Sequence, residues 1–371
     1  MSDLSYWVAF ARIPSVGRVR FGLLEQKFGS LEAAWQASAR ELESAGLDRH
    51  AISAITWGRS HISPQEEIER MERAGVRAIT WRDEGYPPLL REIYDLPPVL
   101  FIKGGLLPED RRSVAVVGTR NATAYGREAA TYLAGDLARN GVTIVSGLAR
   151  GIDAVAHRAA LEAGGRTIAV VASGLDMVYP PEHTGLAQQV AEQGALVSEY
   201  PLGTRPEARH FPRRNRLLSG MTLGTLVIEA PEKSGALWTV RHALEQNREV
   251  FCVPGSVFSP ASRATNLLIQ EGAKLVLDFK DVLEELNLSA VTQQMELPGL
   301  LVPEGDTEAK VLQCLGYEPI HIDDVGRRSG LPIAAVSSTL AMMEIKGLVR
   351  SVGAMNFVRT REAAAGYAAV E

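Results

Sequence analysis

Between residues 111 and 288 the chain passes through VAVVG (114–118), VTIVSG (142–147), TIAVVASG (167–174), LVSEY (196–200), TLVIEA (225–230), EVFCVPG (249–255) and KLVL (274–277). Near-continuous apolar runs of this length suit strands buried on both faces, the situation inside a parallel sheet. The segments between them, such as YGREAATYLAGDLARNG and GALWTVRHALEQNR, repeat apolar residues three and four apart, so they predict amphipathic helices. Right-handed crossovers lay such helices on the two faces of the sheet. The pattern leaves one fold class, α/β, with an extended Rossmann-like parallel sheet over residues 111–288.

The flanks read differently. Residues 1–75 predict a small helical domain, with a Pro-Ser-Val-Gly turn at 14–17 and a Phe-Gly-Ser break at 28–30. IPSVGRVRFGLLEQKFGS resembles a helix-hairpin-helix element, whose glycine turn offers backbone amides to a phosphate, and equally suits a plain helical scaffold. Over 76–110 the paired prolines of YPPLLREIYDLPPVLFIKGG preclude a regular helix and predict an extended connector. Residues 289–302 lack periodicity and read as a linker. From 303 to 371 the order helix, helix, turn, helix and hairpin resembles a winged helix. Its last helix, Pro332 to Lys346, carries one lysine and one glutamate, which suits a scaffold or protein contacts better than groove reading.

Composition removes whole classes. With 371 residues, 46% hydrophobic and 22% charged, the chain is an ordinary globular protein of two or three domains. Cys252 and Cys314 supply neither a disulfide framework nor a zinc spacing, which fits a reducing compartment. The start of the chain shows no signal peptide, and no apolar run reaches membrane-spanning length, so a cytoplasmic protein is expected.

The strand ends carry the chemistry. They read GTRNAT, SGLARGID, ASGLDMVYP, SEYP and EAPEKSGA, and in a doubly wound sheet the ligand sits at these ends. Glycines and serines there predict backbone amides open to a row of phosphates. The dinucleotide fingerprint and the P-loop are both absent, so a nicotinamide or flavin cofactor is disfavoured and nothing points to ATP hydrolysis. Asp153 and His157, four apart on a predicted helix, and Glu199 and Glu229 at strand ends are acid–base types, but their spacing specifies no reaction. The first pair suits helix capping and core packing as well. No catalytic machinery and no metal site is predicted.

Taken together, DEGYPPLLREIYDLPPVLFIKG, VAVVGTRNATAYG, VSGLARGIDAVAHRAAL, TIAVVASGLDMVYPPEH, SEYPLGTRPEARHFPRRNRLLSG, VIEAPEKSGALWTVRHALEQNREVFCVPG and NLLIQEGAKLV closely resemble the DNA processing protein A family, also called Smf. The resemblance implies a protein that binds incoming single-stranded DNA in natural transformation and loads the RecA recombinase onto it, without turnover. It implies a Rossmann-like domain flanked by a sterile-alpha-motif-like helical domain and a winged helix. It implies a homodimer formed through NLLIQEGAKLV, with Ile269 and Leu275 as apolar anchors. DNA-contacting positions carry over onto Arg120, Ser146, Gly147, Arg150, Ser173, Gly174, Phe211, Arg214, Asn215 and Arg216.

RHFPRRNR, residues 209–216, places four arginines beside one aromatic ring in a chain of formal net charge −5. Read as a loop, it offers cations to phosphates and Phe211 to an unstacked base, the two needs of a single-strand binder. Overall acidity does not oppose this, because steering is local and the Debye length is only ~8 Å at physiological salt. Two structural alternatives stand beside that reading. The arginines can pair internally with Glu199 and Glu229, and Phe211 can be a core ring. An alternative of another class is a nucleotide-processing enzyme akin to the lysine-decarboxylase-like phosphoribohydrolases, although their PGGxGTxxE signature is replaced here by APEKSGALWTVRHALE.

Overall fold

The computed structural model describes residues 3–288, 305–353 and 355–360. The chain forms two compact units, residues 1–292 and 293–371. The segment expected to be a linker, 289–302, lies outside the described residues.

The first unit is built on nine strands: β1 (Arg77–Thr80), β2 (Val99–Gly104), β3 (Ser113–Val117), β4 (Thr143–Ser146), β5 (Thr167–Val170), β6 (Ala195–Ser198), β7 (Gly224–Val227), β8 (Glu249–Cys252) and β9 (Lys274–Leu275). Their order across the sheet is β1-β2-β6-β5-β4-β3-β7-β8-β9. From β6 to β9 every pairing is parallel, and β3 through β7 are buried along their whole length, as apolar runs without alternation require. The chain moves outward from β3 through β4 and β5 to β6, then returns to β7 on the other side of β3. That reversal places a crevice at the carboxyl ends of the central strands.

The stretch 76–110 is more than a connector. β1 pairs antiparallel with β2, Arg77 opposite Ile102 and Thr80 opposite Val99, and β2 pairs antiparallel with β6, Phe101 opposite Ser198. The sheet therefore continues two strands past its parallel part. The prolines mark the irregular crossing between these strands, where Tyr86 Oη donates to Pro97 O at 2.8 Å.

The N-terminal helices pack on the same unit. Helix Asp3–Ala11 brings Trp7 and Phe10 against Phe21 and Trp35, with ring centroids 4.9–6.1 Å apart. One continuous apolar cluster runs from these rings to Val99, Phe101, Ala169 and Leu196 of the sheet. A fully buried Phe contributes on the order of 1.5–3 kcal/mol, so the cluster anchors the helices firmly. Gly29, at φ 75°, ends helix Arg18–Phe28 in the left-handed region, and Ser30 caps the next helix through Ala33 N–H.

The second unit has helices Asp306–Cys314, Ile322–Ser329 and Ile333–Ile345 and a three-stranded antiparallel sheet of β10 (Ile320–His321), β11 (Val349–Gly353) and β12 (Asn356–Arg359), ordered β10-β12-β11. Val311, Leu312, Val325, Val336, Leu340 and Met343 form its core. This is the winged-helix pattern. Its last helix exposes Ile333, Met342 and Ile345. No helix among the described residues is long and apolar enough to cross a membrane.

His157 is fully enclosed between helix Ile152–Glu162 and the sheet. Thr167 Oγ1 donates to Ile144 O at 2.8 Å, so the 2.7 Å contact with His157 takes its proton from Nδ1. Nε2 is left buried without a partner, and burial pushes the imidazole pKa down to about 3. A pKa depressed on folding stabilises the protein fully above the unfolded value near 6.5 and is lost as pH falls toward the folded value. Between pH 7 and pH 5 this group should cost about 2 kcal/mol of unfolding free energy. Urea unfolding at both pH values should show His157→Gln losing that much less than the natural protein; an identical loss in both would place the pH dependence elsewhere.

Candidate functional site

RHFPRRNR is helical. It forms the start of helix His210–Gly220, which begins beyond the end of β6 and crosses toward β7. Pro212 falls in the first turn, where the helix has no use for its missing N–H, so the proline that suggests a loop is compatible with a helix start. Helical geometry then sends the four arginines in different directions.

Arg214 goes inward. It is 4% exposed, and its Nη1 donates to Gly147 O at 2.8 Å and to Val170 O, tying the helix to the carboxyl ends of β4 and β5. Burial pushes its pKa down to about 10, with Asp153 pulling it back up, so it remains a cation at neutral pH. Asp153 is itself buried, and burial raises its pKa against the pull of Arg214 and two amides. Those amides belong to Gly147 and Ala149, at 3.1 and 3.4 Å. Gly147 is required here, because a Cβ would lie 2.5–2.7 Å from three guanidinium atoms of Arg214. The neighbouring Leu148 occupies the left-handed region at φ 56°, an uncommon position for a branched side chain and a sign of a turn held by its surroundings.

Arg216 also turns inward, at 5% exposure, and bonds Glu199 at 2.6 Å and Asp95 at 2.8 Å. Asn215 accepts from Arg214 Nε at 3.2 Å and donates to Gly235 O at 3.3 Å. The internal alternative is thus realised for Glu199 but not for Glu229. Glu229 accepts from Thr123 N and Oγ1 at 3.0 and 2.6 Å, holding the start of helix Ala124–Arg139.

The serines and glycines of the strand ends are engaged as well. Ser146 Oγ donates to Val116 O at 2.6 Å and Ser173 Oγ to Met177 O at 2.8 Å. Gly174 is hemmed in by Asp176, Pro201 and Gly203, and its amide donates to Thr204 O. The expected row of free amides is not what these turns present: Gly147, Ala149 and Thr123 give theirs to the carboxylates of Asp153 and Glu229.

The outer surface is assembled from other residues. Arg120, exposed after β3, stacks its guanidinium over the Phe211 ring at 5.3 Å, and Tyr179, 40% exposed after β5, meets the same ring edge-on at 5.7 Å. Phe211 is half-buried, so it is a rim residue held on two sides and open on another. Arg150 is exposed, pairs with Glu182 at 2.5 Å and interacts electrostatically with Tyr179. Arg213 is exposed, 3.6 Å from Glu199. An aromatic ring flanked by a guanidinium is a stacking surface with a cation beside it. Tyr179 was not singled out from the sequence. Its signal was present in GLDMVYPPEH, an aromatic in the turn that follows a strand. Among the described residues no cluster of His, Cys, Asp and Glu is arranged to hold a metal ion.

Comparison with known proteins follows the same lines. The family model "DNA recombination-mediator protein A" matches residues 77–287, and a "DprA winged helix domain" model matches 295–355. Protein Smf of Synechocystis sp. is 36% identical, over 96% of this chain and 99% of its own length. DNA processing protein DprA of Bacillus subtilis is 46% identical, over 57% of this chain and 72% of its own. The X-ray structure of DNA processing protein A from Streptococcus pneumoniae superposes with TM-score 0.68 at 33% identity, covering 76% of this chain and 97% of that one. A DNA processing protein A from Helicobacter pylori, whose structure is described by its single-stranded DNA binding mode, superposes with TM-score 0.52 at 28% identity, covering 58% and 96%.

The Arg214–Asp153 arrangement gives a stability test. Arg214→Ala strands a buried carboxylate and should cost about 3–5 kcal/mol. Adding Asp153→Asn removes that charge and should return part of the loss. Denaturant unfolding of the two single variants and the double variant measures this; strictly additive losses would mean that the two groups do not compensate each other.

Proposed function

The chain belongs to the DNA recombination-mediator protein A family, and from that premise we propose that it binds single-stranded DNA on the carboxyl rim of its sheet and loads a RecA recombinase onto that strand in natural transformation. The observation that carries the proposal is the rim itself: Phe211 held between Arg120 and Tyr179, with the exposed Arg150 close enough to Tyr179 to interact with it electrostatically. A single strand needs a stacking plane for its bases and mobile cations for its phosphates, and this rim has both. The single-strand binding named for the Helicobacter pylori relative supports the choice of ligand.

The ten residues expected at the DNA divide by role in this proposal. Arg120, Arg150 and Phe211 touch the strand, joined by Tyr179. Ser146, Gly147, Ser173, Gly174, Arg214, Asn215 and Arg216 hold the turns and the helix that present them, consistent with their internal hydrogen bonds. We read the protein as a binder without turnover. Glu199 and Glu229, on which a nucleotide-hydrolysing alternative rests, are engaged with Arg216 and Thr123. The winged-helix unit, with apolar rather than basic side chains exposed on its last helix, suits protein contacts.

Self-association through the far edge of the sheet belongs to the same proposal. Helix Arg263–Gln270 and edge strand β9 expose Leu267, Leu275 and Leu277, a row of aliphatics that a second copy can cover. Ile269, the other expected anchor, is half-buried and packs partly into the core. Sedimentation should find a dimer that Leu275→Glu with Leu277→Glu converts to monomer, and an unaltered dimer would move the interface elsewhere.

The strand-binding proposal is tested by separating stacking from charge. Phe211→Ala should weaken dT oligomer binding by about 1–3 kcal/mol and leave the salt slope nearly unchanged. Arg120→Ala should lower the slope of log K against log[salt] by about 0.7 if it neutralises one phosphate. Arg216→Ala should act on melting temperature first. Normal affinity in Phe211→Ala together with an unaltered slope in Arg120→Ala would refute the rim as the strand-holding surface.

A further inference from the structure

On another side of helix His210–Gly220 a cleft of about 740 Å³ opens between the turn at residues 14–17 and the segment Tyr94–Val99. Arg18, Arg20, Tyr94, Glu199 and Arg216 are on its walls. Three of its features exceed what folding needs.

The first is a pair of bare polar atoms. Arg216 Nη1 and Glu199 Oε1 are buried without hydrogen-bond partners, although the other atoms of the two groups pair well. Leaving a buried polar atom unmet costs about 1–3 kcal/mol, and the two side chains that carry these atoms line the cleft, so a group entering beside them with the reverse pair offsets that cost.

The second is an open helix start. Helix Arg18–Phe28 has Gly17 as its cap, with no side-chain hydrogen bond there, and a Cβ on Gly17 would meet nothing within 4 Å. The first-turn amides and the helix dipole favour an anion at this end. Arg20 is committed to Asp48 at 2.5 Å, whereas Arg18 has no carboxylate partner among the described residues.

The third is an unburied ring. Tyr94 is 83% exposed, and its only described ring contact is the Arg18 guanidinium, 5.0 Å from its centroid. The ring is a plane on which a base can stack beside a cation.

An anion site, a stacking plane and a donor–acceptor pair match the phosphate, the base face and the base edge of a nucleotide. We infer that this cleft is a second site that binds one nucleotide, its phosphate at the start of helix Arg18–Phe28 and its base against Tyr94. The same chemistry is offered by a free nucleoside monophosphate and by the 5′-phosphorylated end of a DNA strand. The site is separate from the rim, because Arg120, Arg150, Tyr179 and Phe211 take no part in it, whereas Arg213 lines it.

The test uses the full chain. Thymidine 5′-monophosphate, thymidine and inorganic phosphate are titrated separately, followed by a dT oligomer with and without a 5′-phosphate. The expected result is that at least one phosphorylated probe, the monophosphate or the 5′-phosphorylated oligomer, binds at least tenfold more tightly than its unphosphorylated counterpart. Arg18→Ala with Tyr94→Ala, both on the protein surface, should remove that gain, while Tyr94→Phe and Phe211→Ala should keep it. A gain seen with the monophosphate alone identifies the free nucleotide as ligand, and a gain on the oligomer identifies the strand end. The inference is overturned if neither probe gains from its phosphate, if the gain survives the double substitution, or if Phe211→Ala abolishes it and so places it on the rim. Phe211→Ala reports on the rim through binding of the unphosphorylated oligomer, and the Arg18 and Tyr94 substitutions report on the cleft through the phosphate-dependent gain, so failure of one site is distinguishable from failure of the other.

Discussion

The Arg214 guanidinium, donating to the carbonyls of Gly147 and Val170 from inside the protein, is the contact on which the geometry of the rim depends. Two adjacent parallel strands end there with carbonyls pointing out of the sheet, and a rigid fork of N–H donors meets them. The helix that carries Arg214 has its first turn fixed by that contact. Phe211, one turn earlier, is thereby set against Arg120 and Tyr179, and Arg216 is set against Glu199 and Asp95. Gly147 has to lack a side chain for the guanidinium to fit, and Asp153 supplies the compensating charge while closing the turn above it.

A buried cation is costly, and its replacement by an apolar side chain of similar size is often neutral or stabilising. What an apolar side chain cannot do at this position is satisfy the two strand-end carbonyls, each of which would cost about 1–3 kcal/mol if left bare. The arginines of RHFPRRNR therefore do different work. Arg214 and Arg216 solve a folding problem, and Arg209 and Arg213 remain at the surface. The positive character of the rim is smaller than the sequence count suggests, and more of it comes from Arg120 and Arg150 on other loops.

The seven parallel strands were legible because burial on both faces writes itself as uninterrupted apolar runs. β1 and β2 were hidden by prolines that belong to the crossing between them and not to the strands. The helix at 210–220 was hidden by Pro212, since the residue types at a loop and at a helix start are the same. At the rim, the sequence named Phe211, Arg120 and Arg150 alongside Arg214 and Arg216 without distinguishing the side chains that reach the surface from those that are buried. Residue type says that a guanidinium is present, whereas only the register of a helix against a sheet says which carbonyl or carboxylate it meets. Tyr179 went unread for the same reason: its partner ring is 32 positions away in the chain.

In the proposed strand capture, rigidity and charge act at different points. A ring clamped edge-on by one neighbour and stacked by another has little rotamer freedom left, so a base that docks on it loses less entropy than it would on a free side chain. Exposed arginines keep their freedom and act earlier, through a field that salt screens within about 8 Å. In a protein of net charge −5 that field must be local to act at all. Drawing Arg214 into bonds with strand-end carbonyls and Arg216 into bonds with Glu199 and Asp95 leaves a surface whose hold on a strand, in the proposed function, rests more on stacking than on phosphate neutralisation, a balance suited to retaining a strand at physiological salt without binding every polyanion with equal strength.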